Sequence, residues 1–243
     1  MSSLFLREDL TEAPVGETVE LTGAEAKHAA TVNRVRVGET VSVGNGAGLL
    51  ATGIVEASSP SSVVIRVEHS SKSDAASPAL VLVQALAKGD RDERAVQAAT
   101  ELGVDAVVPW SAERSISRWD AQKAEKGRQR WQTIAREATK QSIRSWLPDV
   151  EPLHSTAQLA ERASRALVLV LDPRGETTLA ETDLPPEGEI VIVVGPEGGV
   201  SPAELDRMTS AGARIVRLGS TVLRTSTAGP AALAVLNVRL GRW

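Results

Sequence analysis

Between Glu189 and Ala232 the chain reads EIVIVVGPEGGVSPAELDRMTSAGARIVRLGSTVLRTSTAGPAA, and this stretch restricts the fold more than any other. A continuous β-branched run at its start reads as a strand buried on both faces. It ends in the glycine loop Gly195-Pro196-Glu197-Gly198-Gly199. A short helix follows. Ser201 caps it, Pro202 takes its first position, Glu204 completes a capping box and Gly212 stops it. A second strand then leads into another glycine-bearing loop, Leu218 to Thr227, and a last helix. Open α/β sheets bind their ligands at the carboxyl ends of their strands. The two loops therefore predict one shared site for a small ligand.

The rest of the chain divides by rhythm. From Thr18 to about Ser70, short runs rich in valine and isoleucine alternate with turn residues, and Gly44-Asn45-Gly46-Ala47-Gly48 supplies a hairpin turn. A helix over Gly23 to Val32 interrupts this small β-barrel. Ser70 to Pro78, SSKSDAASP, reads as a linker. The domain boundary is accordingly placed at residues 1–73 and 74–243. Beyond it, strands and helices alternate, as in a mostly parallel α/β sheet. The expected elements are a strand over Ala79 to Ala87, a helix over Asp90 to Leu102 with Asp90 as its cap, and a strand over Val104 to Val108. They continue with a long helix over Asp120 to Trp146 and a strand over Ala166 to Leu171. A loop through Pro186 then leads to the opening stretch. Thr225 to Thr227 are read as caps of the last helix, which is apolar almost all round. That pattern means burial either within one domain or at a subunit interface, with the interface slightly favoured.

Composition excludes several chemistries. No cysteine is present, so neither a thiolate nucleophile nor a zinc–thiolate site exists. His28, His69 and His154 are too scattered to make a metal site. The amino terminus lacks the apolar stretch of a signal peptide and no later run approaches a membrane span, so a cytoplasmic protein is expected. The net charge is −4, yet between Trp110 and Trp146 nine basic residues face four acidic ones. Arg136, Lys140 and Arg144, four apart, form a candidate phosphate-facing row on the long helix. A polyanion responds to such a local patch rather than to the overall charge, although a solvated helix face has the same composition.

The glycine loop is neither a dinucleotide fingerprint nor a Walker loop, and no glycine-rich fingerprint follows the first α/β strand, where Ala87-Lys88-Gly89-Asp90 stands. Arg224, between an apolar loop and a helix start, calls for an anionic partner. Together VGPEGGVSPAEL and RLGSTVLRTSTA resemble the SPOUT methyltransferases, and within them the RsmE family, which methylates N3 of a uridine in small-subunit ribosomal RNA. HAATVNRVRVGE from His28, Asn45 to Gly48, Glu101 to Val104, Pro109, Ser111 to Ser115, Arg136 to Ala138, and Gln141-Ser142 extend the resemblance along the chain.

The resemblance implies a PUA-like RNA-binding barrel followed by an α/β domain with a deep trefoil knot. It also implies S-adenosylmethionine as cofactor, 16S ribosomal RNA or the small ribosomal subunit as partner, and a homodimer. Periodicity alone would default to an unknotted doubly wound sheet. By motif match, Gly195, Glu197, Gly198, Leu218, Gly219, Leu223, Arg224, Thr225 and Ala228 fall at the cofactor loops, and Leu171 at the end of the preceding strand is a candidate to join them. Arg224 is the candidate for stabilising a uracil anion. Glu197 is a candidate base, with a purely structural carboxylate as the even alternative. Arg34, Arg36, Lys88, Arg91, Arg114, Arg118, Arg136, Lys140 and Arg144 are the candidate RNA contacts. Two positions depart from the family pattern. Ser226 stands where a glutamate is usual and is given a capping role, and Asn33 replaces a leucine before Arg34. A SPOUT enzyme for transfer RNA or a ribose hydroxyl, and a non-catalytic assembly factor, remain the alternatives.

Overall fold

The structure is a computed structural model and describes residues 3–243. It forms two compact units. The first runs to Ala75 and includes Thr139–Leu147, while the second comprises Ala76–Ala138 and Pro148–Trp243.

In the first unit, β1 (Leu4–Leu6) and β2 (Thr18–Thr22) precede α1 (Gly23–Lys27), which continues as a π-helical turn over His28–Val32. Three strands follow, β3 (Thr40–Gly44), β4 (Leu49–Ser58) and β5 (Ser62–Lys72). The sheet order is β1-β3-β4-β5-β2, with only β1 and β3 parallel. Alternation along β4 sends Leu49, Ala51 and Val55 into a core shared with Phe5, Leu21, Val63 and Ile65. This is the expected small β-domain as a sheet wrapped around one core. Among the described residues no ladder joins β1 to β2.

The turn over residues 44–48 is a hairpin, as expected. Asn45 Oδ1 accepts from the amides of Ala47 and Leu49, and Gly46 and Gly48 sit at φ +70° and +97°. The same turn receives the returning segment 145–147. Gly48 N–H donates to Ser145 O and Leu147 N–H to Gly46 O. A Cβ on Gly48 would meet the Trp146 ring at 3.0 Å.

The second unit is built on one parallel sheet. Its elements are β6 (Ala79–Ala85), α2 (Arg91–Glu101), β7 (Ala106–Trp110), α3 (Ala121–Gln141), β8 (Asp149–Val150), α4 (Thr156–Ala163), β9 (Leu167–Leu171), β10 (Thr177–Thr178), β11 (Glu189–Val194), α5 (Pro202–Ser210), β12 (Arg214–Arg217) and α6 (Thr225–Arg239). The strand order is β10-β12-β9-β11-β6-β7-β8, every pair parallel. The central strands β6, β9 and β11 are buried along almost their whole length. Their unbroken apolar runs reflect layers on both faces.

Several expectations are corrected. β5 extends to Lys72, because Leu49 to Ala51 pair with Lys72 to Ser70, so the linker is shorter than its polar composition implies. Asp90 stands at the α2 cap position without a capping hydrogen bond. Asp92 holds the turn instead, accepting from the amides of Ala87 and Glu93. The loop before β11 carries β10 and a 3-10 turn over Leu179–Glu181. The long helix ends at Gln141, and Ile143 adopts φ +53°. Arg144 is therefore not on the helix, and the Arg136/Lys140/Arg144 row does not exist as a continuous face. Lys140 is 5% exposed at its side chain and pairs with Glu25 at 3.3 Å, which removes it from the surface a phosphate would meet.

Candidate cofactor and substrate site

α5 starts as its sequence dictates. Ser201 accepts from Glu204 N–H and Glu204 returns a bond to Ser201 N–H, with Pro202 at the first position. α6 starts earlier than expected. Arg224 is its N-cap residue, in extended conformation and without a side-chain cap, and Thr225 is its first helical residue. Ser226 is thus inside the helix, and its capping role is withdrawn. Gly229 lets α6 approach the sheet, since a Cβ there would meet Leu82 Cδ1 at 2.9 Å.

The α6 start, the glycine loop and the ends of β9 and β11 enclose a cleft of about 530 Å³. It is lined by the ends of two strands (Leu171 with Asp172 and Pro173; Val194 to Glu197), by Gly199 and Val200, and by Val222 to Thr225 with Ala228. Arg91 closes one side. A recess of about 80 Å³ shares Leu171, Asp172, Val222, Leu223 and Ala228 with it and adds Leu218 and Gly219. The two loops predicted from the sequence thus meet at one site. Gly198 is the exception. It lines neither space, and a Cβ there would meet Arg114 Cβ at 3.2 Å. Gly195 is needed because a Cβ would meet Val200 Cγ2 at 2.8 Å. Gly199 closes the turn on Pro196 O at φ +71°.

The charged groups around the cleft have distinct roles. Glu197 Oε1 accepts from Arg91 at 2.6 Å and from Lys88 N–H at 3.1 Å. Partial burial pushes its carboxyl up, but hydrogen bonds from its own amide, Arg91 and Lys88 outweigh this and hold it below its ordinary value. A depressed, ion-paired carboxyl is a poor proton acceptor, so the structure favours the structural role for Glu197 over that of a base. Arg91, occupied by Glu197, is likewise less a phosphate contact than a clamp. Asp172, 5% exposed at its side chain, is gripped by Arg174 at 2.7 Å through both oxygens. These side-chain bonds hold its carboxyl below its ordinary value despite burial. Arg174 also donates to Val200 O, tying the two strand-end loops together. Arg224 differs from these: its exposed guanidinium has no hydrogen-bond or ion-pair partner among the described residues.

A further loop, 111–119, lies against the glycine loop. Glu204 accepts from Glu113 N–H and from the Thr156 hydroxyl, and Ser201 donates to Glu113 Oε2 at 2.5 Å. Arg114 donates to Gly198 O, and Arg118 to Glu113 O. Lys88, Arg114 and Arg118 are exposed, whereas Arg136 is half-buried. In the first unit Arg34 and Arg36 are exposed, Arg34 at φ +54°, and Arg144 is half-buried. Sequence reasoning missed Asp172, Pro173, Val194, Val200 and Val222 in the lining. Asp172-Pro173 directly after an apolar run was the available signal, a turn at a strand's carboxyl end.

A parallel sheet whose strand ends and last helix enclose such a cleft fits a small-molecule site. A family model described as an RNA methyltransferase domain matches residues 75–237, and one described as an RNA methyltransferase PUA domain matches residues 21–68. The class is that of an RNA methyltransferase carrying a PUA module. The ribosomal RNA small subunit methyltransferase E of Mycobacterium tuberculosis is 40% identical over 233 residues, covering 94% of this chain and 89% of its own. The Bacillus subtilis protein of the same name is 33% identical, over 95% and 93%. A crystal structure of the Neisseria gonorrhoeae enzyme of that name, bound to S-adenosyl methionine, superposes with a TM-score of 0.84 at 30% identity, covering 98% of both chains. The chain belongs to the ribosomal RNA small subunit methyltransferase E family.

Proposed function

We propose that the chain transfers the methyl group of S-adenosylmethionine to N3 of a specific uridine in 16S ribosomal RNA, acting on the small ribosomal subunit. The observation that carries this reading is the cleft shared by the two loops, in a chain 30% identical to an enzyme crystallised with that cofactor. The residues present fit it. The cleft lies within the roughly 300–1,000 Å³ usual for small ligands, and Leu171, Val194, Leu223 and Ala228 offer apolar walls beside the open peptide groups of the glycine loop. S-adenosylmethionine, when bound, supplies an electrophilic methyl on a sulfonium.

The chain's own part is to align and stabilise. In-line displacement gains most from holding both partners in register. Uracil N3 must lose its proton, which passes to solvent, and the charge left behind spreads onto the flanking carbonyl oxygens. Arg224, uncommitted at the rim, stabilises that anion. Glu197 keeps Arg91 and the Lys88 turn in place. The unit containing β1 to β5 is the RNA-docking module, with Arg34 and Arg36 on its surface, and Lys88, Arg114 and Arg118 meet phosphate beside the cleft. In this reading the domains divide at residues 1–73 and 74–243, the C-terminal segment is threaded as a trefoil knot, and the protein works in the cytoplasm as a homodimer. Mass mapping of methylated nucleotides in small-subunit RNA tests the function.

A further inference from the structure

Gln84, the sixth residue of β6, is polar in an otherwise apolar strand and is 0% exposed. Its Nε2 donates to Thr225 Oγ1 at 2.8 Å and to Ala85 O at 3.2 Å. Thr225 Oγ1 in turn donates to Gly195 O at 2.9 Å. The direction of this chain is forced. Gly195 O is a carbonyl and only accepts, so the single hydroxyl proton of Thr225 is spent on it. Thr225 Oγ1 then has only acceptor capacity left, so the Gln84 amide must present its nitrogen. Ala85 O, also a carbonyl, demands the same orientation. Both donors of Gln84 are therefore used, and its Oε1 is left buried without a partner.

An orphaned buried oxygen costs on the order of 1–3 kcal/mol, and an apolar residue would avoid that cost. What the glutamine gains is a fixed link among three elements: the end of β6, the first residue of α6 and the first glycine of the loop after β11. Thr225 and Gly195 both line the cleft and Gln84 does not. From this we propose that Gln84 is a positioning residue, which acts through the Thr225 hydroxyl to hold the two ligand loops at the separation the cofactor needs. The proposal rests on the reading that the cleft takes S-adenosylmethionine.

The test is calorimetric titration of the full chain with S-adenosylmethionine, paired with amide hydrogen exchange of the ligand-free chain across residues 194–200 and 223–228. Gln84→Leu and Thr225→Val are each expected to weaken binding about tenfold, by breaking the relay at its first residue or at its middle one. The double variant is expected to be no weaker than the worse single one, because both remove the same link. Thr225→Ser, which keeps the hydroxyl, should recover most of the affinity lost in Thr225→Val. Exchange in both loops should rise in Gln84→Leu even where thermal stability is retained. Wild-type affinity in Gln84→Leu, or penalties that add, would overturn the proposal. Should Gln84→Leu not fold, Thr225→Val against Thr225→Ser decides it. Absence of cofactor binding by the wild-type chain would overturn the cofactor reading instead, and unchanged exchange in Gln84→Leu would then overturn the relay on its own.

Discussion

Arg224 and Glu197 illustrate how two charged side chains on one cleft come to different roles. Glu197 is committed, its carboxylate fixed by Arg91 and the Lys88 amide, while Arg224 has no partner among the described residues and stands at the rim. Single-turnover methylation is therefore expected to fall by at least about a hundredfold in Arg224→Ala with cofactor affinity largely kept, the size of effect when one charge-stabilising group is lost. Glu197→Gln should act mainly on cofactor affinity. A normal rate in Arg224→Ala with bound cofactor removes its proposed role. Asp172 gives a pH test. Its folded pKa lies below the ordinary value of 3.8, so its contribution to stability is complete above that value and is lost as pH falls through the folded pKa. The stability gap between the wild type and Asp172→Asn should thus narrow on acidification from about pH 5 to pH 2, read by thermal unfolding. A gap independent of pH would show that the Arg174 pair contributes nothing.

Among elements, α5 and α6 differ in how much their sequences disclose. The α5 start was legible because Ser201, Pro202 and Glu204 each satisfy a local rule, and every bond they imply is present. The α6 start was not, because Thr225, which looks like a cap, directs its hydroxyl across to Gly195 and is itself the first helical residue, with Arg224 at the N-cap position. The end of α3 was equally hidden. No glycine or proline marks it, and Lys140 is drawn inward by Glu25 from far along the chain. Gln84 lies within the stretch read as one apolar strand, Ala79 to Ala87, and only the fold supplies its partners. Two outcomes follow for α6. Gly229→Leu should destabilise by about 1–3 kcal/mol in urea unfolding, since Leu82 occupies the space a side chain would need; no loss would mean that the helix does not bear on β6 there. Its opposite face carries Val238, 64% exposed. If that face is the homodimer contact, sedimentation should give a dimer for the wild type and a monomer for Val238→Glu. A monomeric wild type contradicts the dimer.

At the scale of the whole molecule, one unit holds a wrapped β-sheet with Arg34 and Arg36 on its surface. The other holds a parallel sheet with the cleft at its strand ends. The division between β-rich and alternating segments was legible from periodicity. The assignment of Thr139–Leu147 to the first unit was not, because the segment joins it through the Gly46 and Gly48 backbone and through side chains whose partners, Glu25 for Lys140 and Ser73 for Trp146, lie far along the chain. The most direct test of the account is mass mapping of small-subunit RNA after incubating the purified chain and S-adenosylmethionine with small ribosomal subunits from cells lacking the protein. A single new base methylation is expected, at N3 of one uridine, absent when the cofactor is omitted. Methylation of a ribose, of another base, or of transfer RNA alone would contradict it.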